Sequence, residues 1–564
     1  MSRRPPAAAA PRLFDRRPRA DELLFVPLGG SGEIGMNLNL YGHAGKWLML
    51  DLGVTFADER LPGIDLVLPD PAFIEERRED LIALVLTHAH EDHIGAVPYL
   101  WDRLRCPIYA TPFTAALVRR KLKEVGLERE AELNILPMNG RVELGPFACE
   151  LVTLTHSIPE PNAVAITTSL GTVLHTGDWK LDPEPLVGPT ADARRLEELG
   201  TGGVLAMVCD STNVFSPGTS GSEAAVRDSL IEMIRPLTGR VAVTTFASNV
   251  ARIASIGVAA AAADRHLVLV GRSMHRVVEA AKETGYLLDL PPVLDEDEAG
   301  YLPKDKVLYL CTGSQGEPRG ATARIARGEH RHIALGQGDT AIFSSKIIPG
   351  NELALGEVHN LLARAGVRVI TEKGNFIHVS GHPNRDELAE MYGWVRPEIA
   401  VPVHGEARHL VEHAAFARSL QVRHAPVIAN GDVLRLAPGE PQIIGEVESG
   451  RLAIDGEIIV AIDDPAIVAR RKISFAGHVV VTLVLDAKGK PAADPEVVLA
   501  GLAEDEEADL AEEIAEAVAA ALPRGKGADA DTMAEAARMA ARKAAHRLTG
   551  RKPVTDVQVI RLRG

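Results

Sequence analysis

Cysteine is almost missing from this sequence: four residues in 564, Cys106, Cys149, Cys209 and Cys311, lie far apart and form no CxxC pair. That spacing excludes a disulfide framework and a thiolate zinc site, and it fits a reducing, cytoplasmic environment. Long apolar runs are missing too. No stretch approaches the ~20 uninterrupted apolar residues of a membrane helix, so no membrane span is expected. The opening "MSRRPPAAAAPRLFDRRPRA" has arginines and alanines but no apolar segment of the kind a secretion signal needs. Residues 1–21 are therefore expected to form a disordered basic arm. Positive charge is in deficit: 61 Lys and Arg against 77 Asp and Glu give a net charge of −16. A polyanion would bind the average surface weakly. Acids collect in "AEDEEADLAEEIAEA" at 503–517, however, so a locally basic channel stays compatible with the total. No internal repeat is present. The rest is ordinary for a globular protein, 46% apolar and 24% charged, in a chain long enough for two or three domains.

From about 23 to 210 a short apolar run repeatedly hands over to a polar or glycine-rich turn, as in "LLFVPLGGSGEIG", "KWLMLDLGV", "LIALVLTHAHEDH", "CELVTLTHS", "TVLHTGDWK" and "VLAMVCDSTN". Such runs read as buried strands whose C-terminal ends carry chemistry, the habit of layered α/β enzymes. Residues 221–370 alternate helical spacing ("SEAAVRDSLIEMIRPL", "NVARIASIGVAAAAADR") with strand runs ("RVAVTTFAS", "HLVLVGRS", "KVLYLCTGS"), a second α/β unit. At "VRVITEKGNFIHVSGH" and "EIAVPVHGE" the first style returns, which implies that the second unit is inserted into the first. The last ~100 residues read as a small separate α/β domain, with strands "GHVVVTLVLD" and "VTDVQVIRL" around helices at about 507–521 and 531–548. The expected division is 22–220 and 371–455 for the first unit with a linker, 221–370 for the insert and 456–564 for the C-terminal domain.

"LVLTHAHEDHIGAVPYL" at 84–100 is the densest cluster of metal-ligand types. While the chain stays extended, His88 and His90 point to one side and can chelate one ion. "DHIGAVPYLWDRL" reads as the start of a helix, and its turn swings Asp92 and His93 toward a neighbouring point. The spacing therefore suits two adjacent metals. His156, Asp178 and His404 stand at the ends of other strands, and Asp178 has two oxygens with which to bridge. Imidazole with carboxylate suits zinc, with manganese or magnesium as harder alternatives. Paired divalent metals ~3.5–4 Å apart support in-line phosphoryl displacement. Three histidines and two acids beside an apolar strand would be expensive to hold without a cation. Glu91 is expected to face solvent or to stand behind the ligands. His43, His266, His330, His332, His409 and His546 read as ordinary polar residues.

"THAHEDH", "THSIPE" and "TGDWK" together resemble the metallo-β-lactamase superfamily, whose fold is an αββα sandwich. "CDSTN", "HVSGH" and "PVHGE" resemble motifs A, B and C of the β-CASP nucleases, in which an α/β cap is inserted into that sandwich. "FASNVAR", "TGSQGEP" and "SSKIIPGNE" narrow the resemblance to bacterial ribonuclease J enzymes. The resemblance implies two zinc ions, one held by His88, His90, His156 and Asp178, the other by Asp92, His93, His404 and the shared Asp178. It makes Asp92, Asp210 and His382 catalytic, with His382 the proton donor to the leaving oxygen. It also implies single-stranded RNA as substrate, 5′→3′ exonuclease and endonuclease activity, a preference for a 5′-monophosphate, and work in RNA decay and rRNA 5′-end maturation. The phosphate pocket would use His378, Val379, Ser380, Gly381 and His382 with Ala247, Ser248 and Asn249. Arg252 and Lys346 are candidates for the basic groove.

Some relatives bind a calcium ion through a loop like "LPGIDLVLPD". Gly63 and Asp65 would then supply oxygens with an acid near Asp455 or Glu457, although the usual C-terminal acid does not align cleanly. The family further implies a homodimer or homotetramer built through the C-terminal domain, and contact with other RNA-decay proteins. A small-molecule hydrolase on the same sandwich would explain the metal loop but not the insert or "HVSGH". A non-catalytic scaffold would be expected to have lost ligands, and a flavo-diiron protein would carry an appended flavin domain.

Overall fold

In a computed structural model, residues 13–502, 509–523 and 529–562 are described. The chain forms two compact units, Met1–Thr55 with Leu68–Gly450, and Phe56–Val67 with Arg451–Gly564. No helix among the described residues is long and apolar enough to cross a membrane.

In the first unit the buried runs become two facing sheets. One has eight strands in the order Gln442–Glu446, Asp432–Ala437, Leu23–Gly29, Leu38–His43, Lys46–Leu50, Leu81–Val85, Ile108–Ala110 and Leu133–Ile135. The other runs Arg141–Leu144, Phe147–Thr153, Asn162–Thr168, Gly171–His175, Ala206–Asp210 and Ile399–Val403. Phe25, Leu48 and Val85 of the first meet Val164, Val208 and Val401 of the second in one dry core. Helices Arg385–Val395 and Ala407–Ser419 cover the outer face of the second sheet, burying Leu388, Met391 and Ala414 with Trp179 against Leu174 and Met207. Helix Pro112–Glu124 buries Phe113, Leu117 and Leu122, completing the αββα sandwich.

The insert is a cap built on a third sheet, Val293–Leu294, His266–Val270, Val307–Cys311, Val241–Thr244, Thr340–Phe343 and Arg368–Ile370, with every pairing parallel. Parallel strands need covered faces, which explains their continuous apolar runs. The cap leaves the sandwich after Ala206–Asp210, and the chain returns through Ile399–Val403. Those two strands are neighbours, parallel, with Asp210 opposite Val403. Almost two hundred intervening residues thus leave Asp210 and His404 side by side. Gly171–His175 is parallel to Ala206–Asp210 as well, so the ends that lead to Asp178, Asp210 and His404 share one edge.

In the first unit, two features depart from the expectations. Residues 13–21 are packed: the Phe14 amide donates to the Glu446 carbonyl at 2.8 Å, its ring is buried, and Arg16 forks onto Glu22. Residues 1–12 lie outside the described residues. The helix expected after His90 is broken into Glu91–Ile94 and Val97–Leu104, with a proline opening the second piece.

In the second unit, His478–Leu485 is flanked antiparallel by Glu496–Ala500 and parallel by Val554–Arg561. Helices Leu510–Ala521 and Ala530–Thr549 close over one face, burying Ile514, Val518, Ala537 and Ala541 on Val479, Val481 and Leu483. Glu496–Ala500 was not anticipated; it is short and mostly exposed.

Candidate metal centre

The backbone of the 88–93 loop is latched to its neighbours. The Leu52 amide donates to the His93 carbonyl at 2.7 Å, Val54 to Glu91 at 3.0 Å, and Asn37 to Asp92 at 2.9 Å. Gly53 is required there, since a Cβ on it would lie 1.7 Å from the Asp92 oxygen. Held this way, two groups form: His88, His90, His156 and Asp178, and Asp92, His93, Asp178 and His404, each with ligand atoms within 4.8 Å of one another. Asp178 also joins Asp210, His382 and His404 in a third such group. Asp178 is the side chain common to all three.

Hydrogen bonds fix which nitrogens face inward. His156 Nδ1 donates to the Gly381 carbonyl at 2.5 Å, and a Cβ on Gly381 would strike that imidazole. His93 Nδ1 donates to Asp51 Oδ2 at 2.7 Å. The Thr87 hydroxyl donates to Asp51 at 2.9 Å and so accepts from His88 Nδ1 at 3.0 Å. Each ring then turns its Nε2 inward, and that of His93 also meets the Asn37 side-chain amide at 3.2 Å. His88 Nε2 and His156 Nε2 converge on His90 Nδ1 at 3.1 and 3.0 Å. His93 Nε2 and His404 Nε2 stand 3.2 and 3.5 Å from Asp178 Oδ2, while Asp178 Oδ1 is buried without a hydrogen-bond partner. Lone pairs aimed at lone pairs around an unpartnered carboxylate oxygen are repulsive unless a cation lies among them. The donor set fits divalent metal.

Electrostatics separate the two ligand groups. Burial pushes the imidazoles of His88 and His156 well below their usual range and His90 down to about 4, which keeps them neutral, the form that ligates. Burial acts the same way on His93, but Asp178, Asp92 and Asp51 overcome it and hold that ring well above its usual range. Burial opposes ionisation of Asp178, yet His404, His93 and His382 keep it well below the ordinary carboxylate range. Beside this pair, His382 Nδ1 lies 2.7 Å from Asp210 Oδ2, and its ring stacks on His404. Burial lowers the His382 pKa, but Asp210 and Asp178 outweigh it and push it up to about 9.

Sequence reasoning missed Asp51, which orients His93 directly and His88 through Thr87. The signal was present: an acid closing the buried run "WLML" ahead of a Leu-Gly turn. It also missed Asn37, whose side-chain amide meets His404 Nδ1 at 3.0–3.1 Å. Replacing Asp51 by Asn should weaken metal affinity by roughly 10- to 100-fold with folding retained, read by chelator competition. Glu91 is neither ligand nor free, because Lys121 approaches its two oxygens at 2.6 and 2.7 Å.

Around the expected phosphate pocket, the Ser380 hydroxyl accepts from the Asn213 amide at 2.7 Å and from the His382 N–H at 3.2 Å. His378 Nδ1 is buried without a partner; burial and the cations Arg252, Lys346 and Lys180 push that ring well below its usual range. Ala247 and Ser248 are half-buried ahead of helix Val250–Ala262. The Val379 side chain is buried core, and Asn249 Oδ1 is used to cap that helix through the Arg252 amide at 2.8 Å.

Arg252 does not line a groove. It is wholly buried, with Nε and Nη2 forked onto Glu223 at 3.0 and 2.9 Å and Nη1 on the Ser344 and Ile377 carbonyls. Arg252→Met would strand the Glu223 carboxylate, and denaturant unfolding should show a loss of about 3–5 kcal/mol. Lys346 remains exposed.

At the calcium loop, one of the two candidate third acids is already engaged. Asp455 is forked by Arg470 at 2.9 and 2.5 Å, and that guanidinium lies 3.6 Å from where a Cβ on Gly63 would sit. The Asp65 carbonyl accepts the Ala57 amide, and no metal-capable group among the described residues includes Asp65.

Strand-end histidines and aspartates on an αββα sandwich with an inserted cap define a metallohydrolase of the metallo-β-lactamase superfamily, whose family model matches residues 36–244. Narrower models match too: the ribonuclease J β-CASP domain at 238–362, the Zn-dependent metallo-hydrolase RNA specificity domain at 366–425, and the ribonuclease J C-terminal domain at 465–562. The chain is 48% identical over 551 residues to a ribonuclease J of Sinorhizobium meliloti, covering 96% of this chain and 98% of that one. It is 43% identical over 491 residues to a ribonuclease J of Mycolicibacterium smegmatis, with 86% and 88% covered. With a ribonuclease J 1 of Streptococcus pyogenes it shares 37% identity over 471 residues, 83% and 84% covered. The chain belongs to the ribonuclease J family.

Proposed function

We propose that this chain hydrolyses phosphodiester bonds of single-stranded RNA with two divalent cations, zinc by preference, removing nucleotides from a 5′-monophosphorylated end and also cutting internally. The observation that carries this reading is Asp178, shared by two ligand groups, with the Asp210–His382 pair beside it. His88, His90 and His156 would hold one cation, and Asp92, His93 and His404 the other, with Asp178 common to both. Bound there, the cations lower the pKa of water and neutralise charge that develops at the reacting phosphate. Asp210 holds His382 protonated and oriented to pass its proton to the departing 3′-oxygen. The turn 378–381 and the amides at Ala247 and Ser248, at the start of a long helix, offer donors to a terminal phosphate. His378, ringed by cations, suits the same anion.

RNA decay and rRNA 5′-end maturation in the cytoplasm, assembly as a dimer or tetramer, and contact with other RNA-decay proteins belong to the same reading. The test is cleavage of end-labelled RNA carrying either one or three phosphates at its 5′ end. Release of mononucleotides from the monophosphorylated RNA alone is expected. Equal internal cutting of both, with no mononucleotides, would contradict the pocket.

A further inference from the structure

The loop between strands Phe147–Thr153 and Asn162–Thr168 carries His156 near one end and a buried acid, Glu160, near the other. The cap holds it at both places. In cap helix Val250–Ala262, the Ala251 amide donates to the Ser157 carbonyl at 3.3 Å. Glu160 Oε2 accepts the Phe113 amide at 2.7 Å, and its Oε1 accepts the Tyr286 hydroxyl at 3.1 Å. Phe113 lies in the first turn of sandwich helix Pro112–Glu124, and Tyr286 follows cap helix Arg272–Glu283. Those helices run antiparallel across the boundary, joined by Arg120–Glu283 at 2.6 Å and Glu124–Arg276 at 2.5 Å. The Phe113 and Tyr286 rings meet edge to face at 6.3 Å.

Glu160 has φ +58°, a left-handed conformation that a non-glycine residue keeps only where its surroundings over-determine it. Its carbonyl accepts from Asn162 Nδ2 at 2.6 Å, and its side chain takes one hydrogen bond from each side of the boundary. Pro161 disfavours the right-handed region for the residue before it, so a released Glu160 would go extended and redirect the chain four residues from His156.

We infer that Glu160 and Tyr286 form a latch through which the cap positions His156, so that cap seating and metal affinity at the His88, His90, His156 and Asp178 group are one coupled equilibrium. The inference rests on the two-cation reading above. Coupling is reciprocal: a cation at that group seats the cap, and RNA that draws the cap down tightens that cation. Glu160 and Tyr286 act through His156 and are positioning residues.

Cobalt(II) binding to metal-free, full-length protein tests this, followed by visible absorption and chelator competition for wild type, Tyr286→Phe, Glu160→Gln and Glu160→Ala. Tyr286→Phe keeps the ring and removes only the hydroxyl. One of the two cobalt affinities should fall by about fivefold, with kcat on RNA lowered at limiting metal and restored by excess metal. Glu160→Gln, which keeps an acceptor, should lie between wild type and Tyr286→Phe, and Glu160→Ala should be weakest. Unchanged cobalt affinity in Tyr286→Phe and Glu160→Ala would overturn the latch. So would equal weakening of both affinities, or an activity loss that excess metal does not restore. Cobalt binding is read without RNA, so variants that weaken one site in a protein that cleaves no RNA would count against the nuclease reading alone.

Discussion

Replacing Asp178 by Ala should lower kcat on RNA by roughly 10,000-fold or more, about 5.5 kcal/mol of transition-state stabilisation. No other side chain belongs to both ligand groups. Its Oδ2 stands within 4.0 Å of His88 Nε2, His93 Nε2 and His404 Nε2, and its Oδ1 has no protein partner to lose. Removing it deletes the one carboxylate shared by the two ligand groups, so two cations held close together would repel each other with less negative charge between them. Its structural cost is small by comparison, because the strand that delivers it is held by its backbone. Single-turnover hydrolysis and elemental analysis together check this. The variant should fold and hold fewer than two metals per chain. Cleavage within tenfold of wild type with metals present would remove Asp178 from its assigned place.

Replacing His382 by Gln should cost between about 100- and 10,000-fold in kcat, the range of a lost general acid. Unlike the Asp178 variant, this one should keep both metals and a nearly unchanged KM, since His382 is bonded to Asp210 and belongs to neither of the two principal ligand groups. The pH dependence follows from the sign of its shift. Burial would lower the His382 pKa, but Asp210 and Asp178 raise it to about 9, so the ring is protonated at neutral pH and able to donate. Activity should hold through neutrality and fall on the alkaline side as His382 loses its proton. Any stability that the charged ring contributes is complete below its ordinary pKa and fades over the same rise. Asp210→Asn removes the largest of the charges that raise it and should move the alkaline limb to lower pH. A limb that stays in place would mean that another group titrates.

The metal loop was legible because an apolar strand ending in His-x-His-x-Asp-His has no inexpensive explanation without cations. The inserted cap was legible because the strand-then-turn style stops and then returns. Asp51 was not, since an acid ahead of a Leu-Gly turn looks like any loop until the turn is seen pressed against the backbone of Asp92. Arg252 was misplaced for a related reason. A cation beside phosphate-binding motifs reads as an RNA contact, and only the fold shows Glu223 waiting for it in the core. Strand Glu496–Ala500 escaped because five residues with no fully buried side chain leave a weak pattern.

The most direct test is a metal titration of protein stripped by chelator, with the rate of hydrolysis of a 5′-monophosphorylated single-stranded RNA measured at each addition. Hydrolysis should be absent from the stripped protein, remain low through the first equivalent, and rise to its plateau as the second is bound. Full activity at one equivalent per chain, or cleavage by the stripped protein, would contradict a centre in which Asp178 serves two cations.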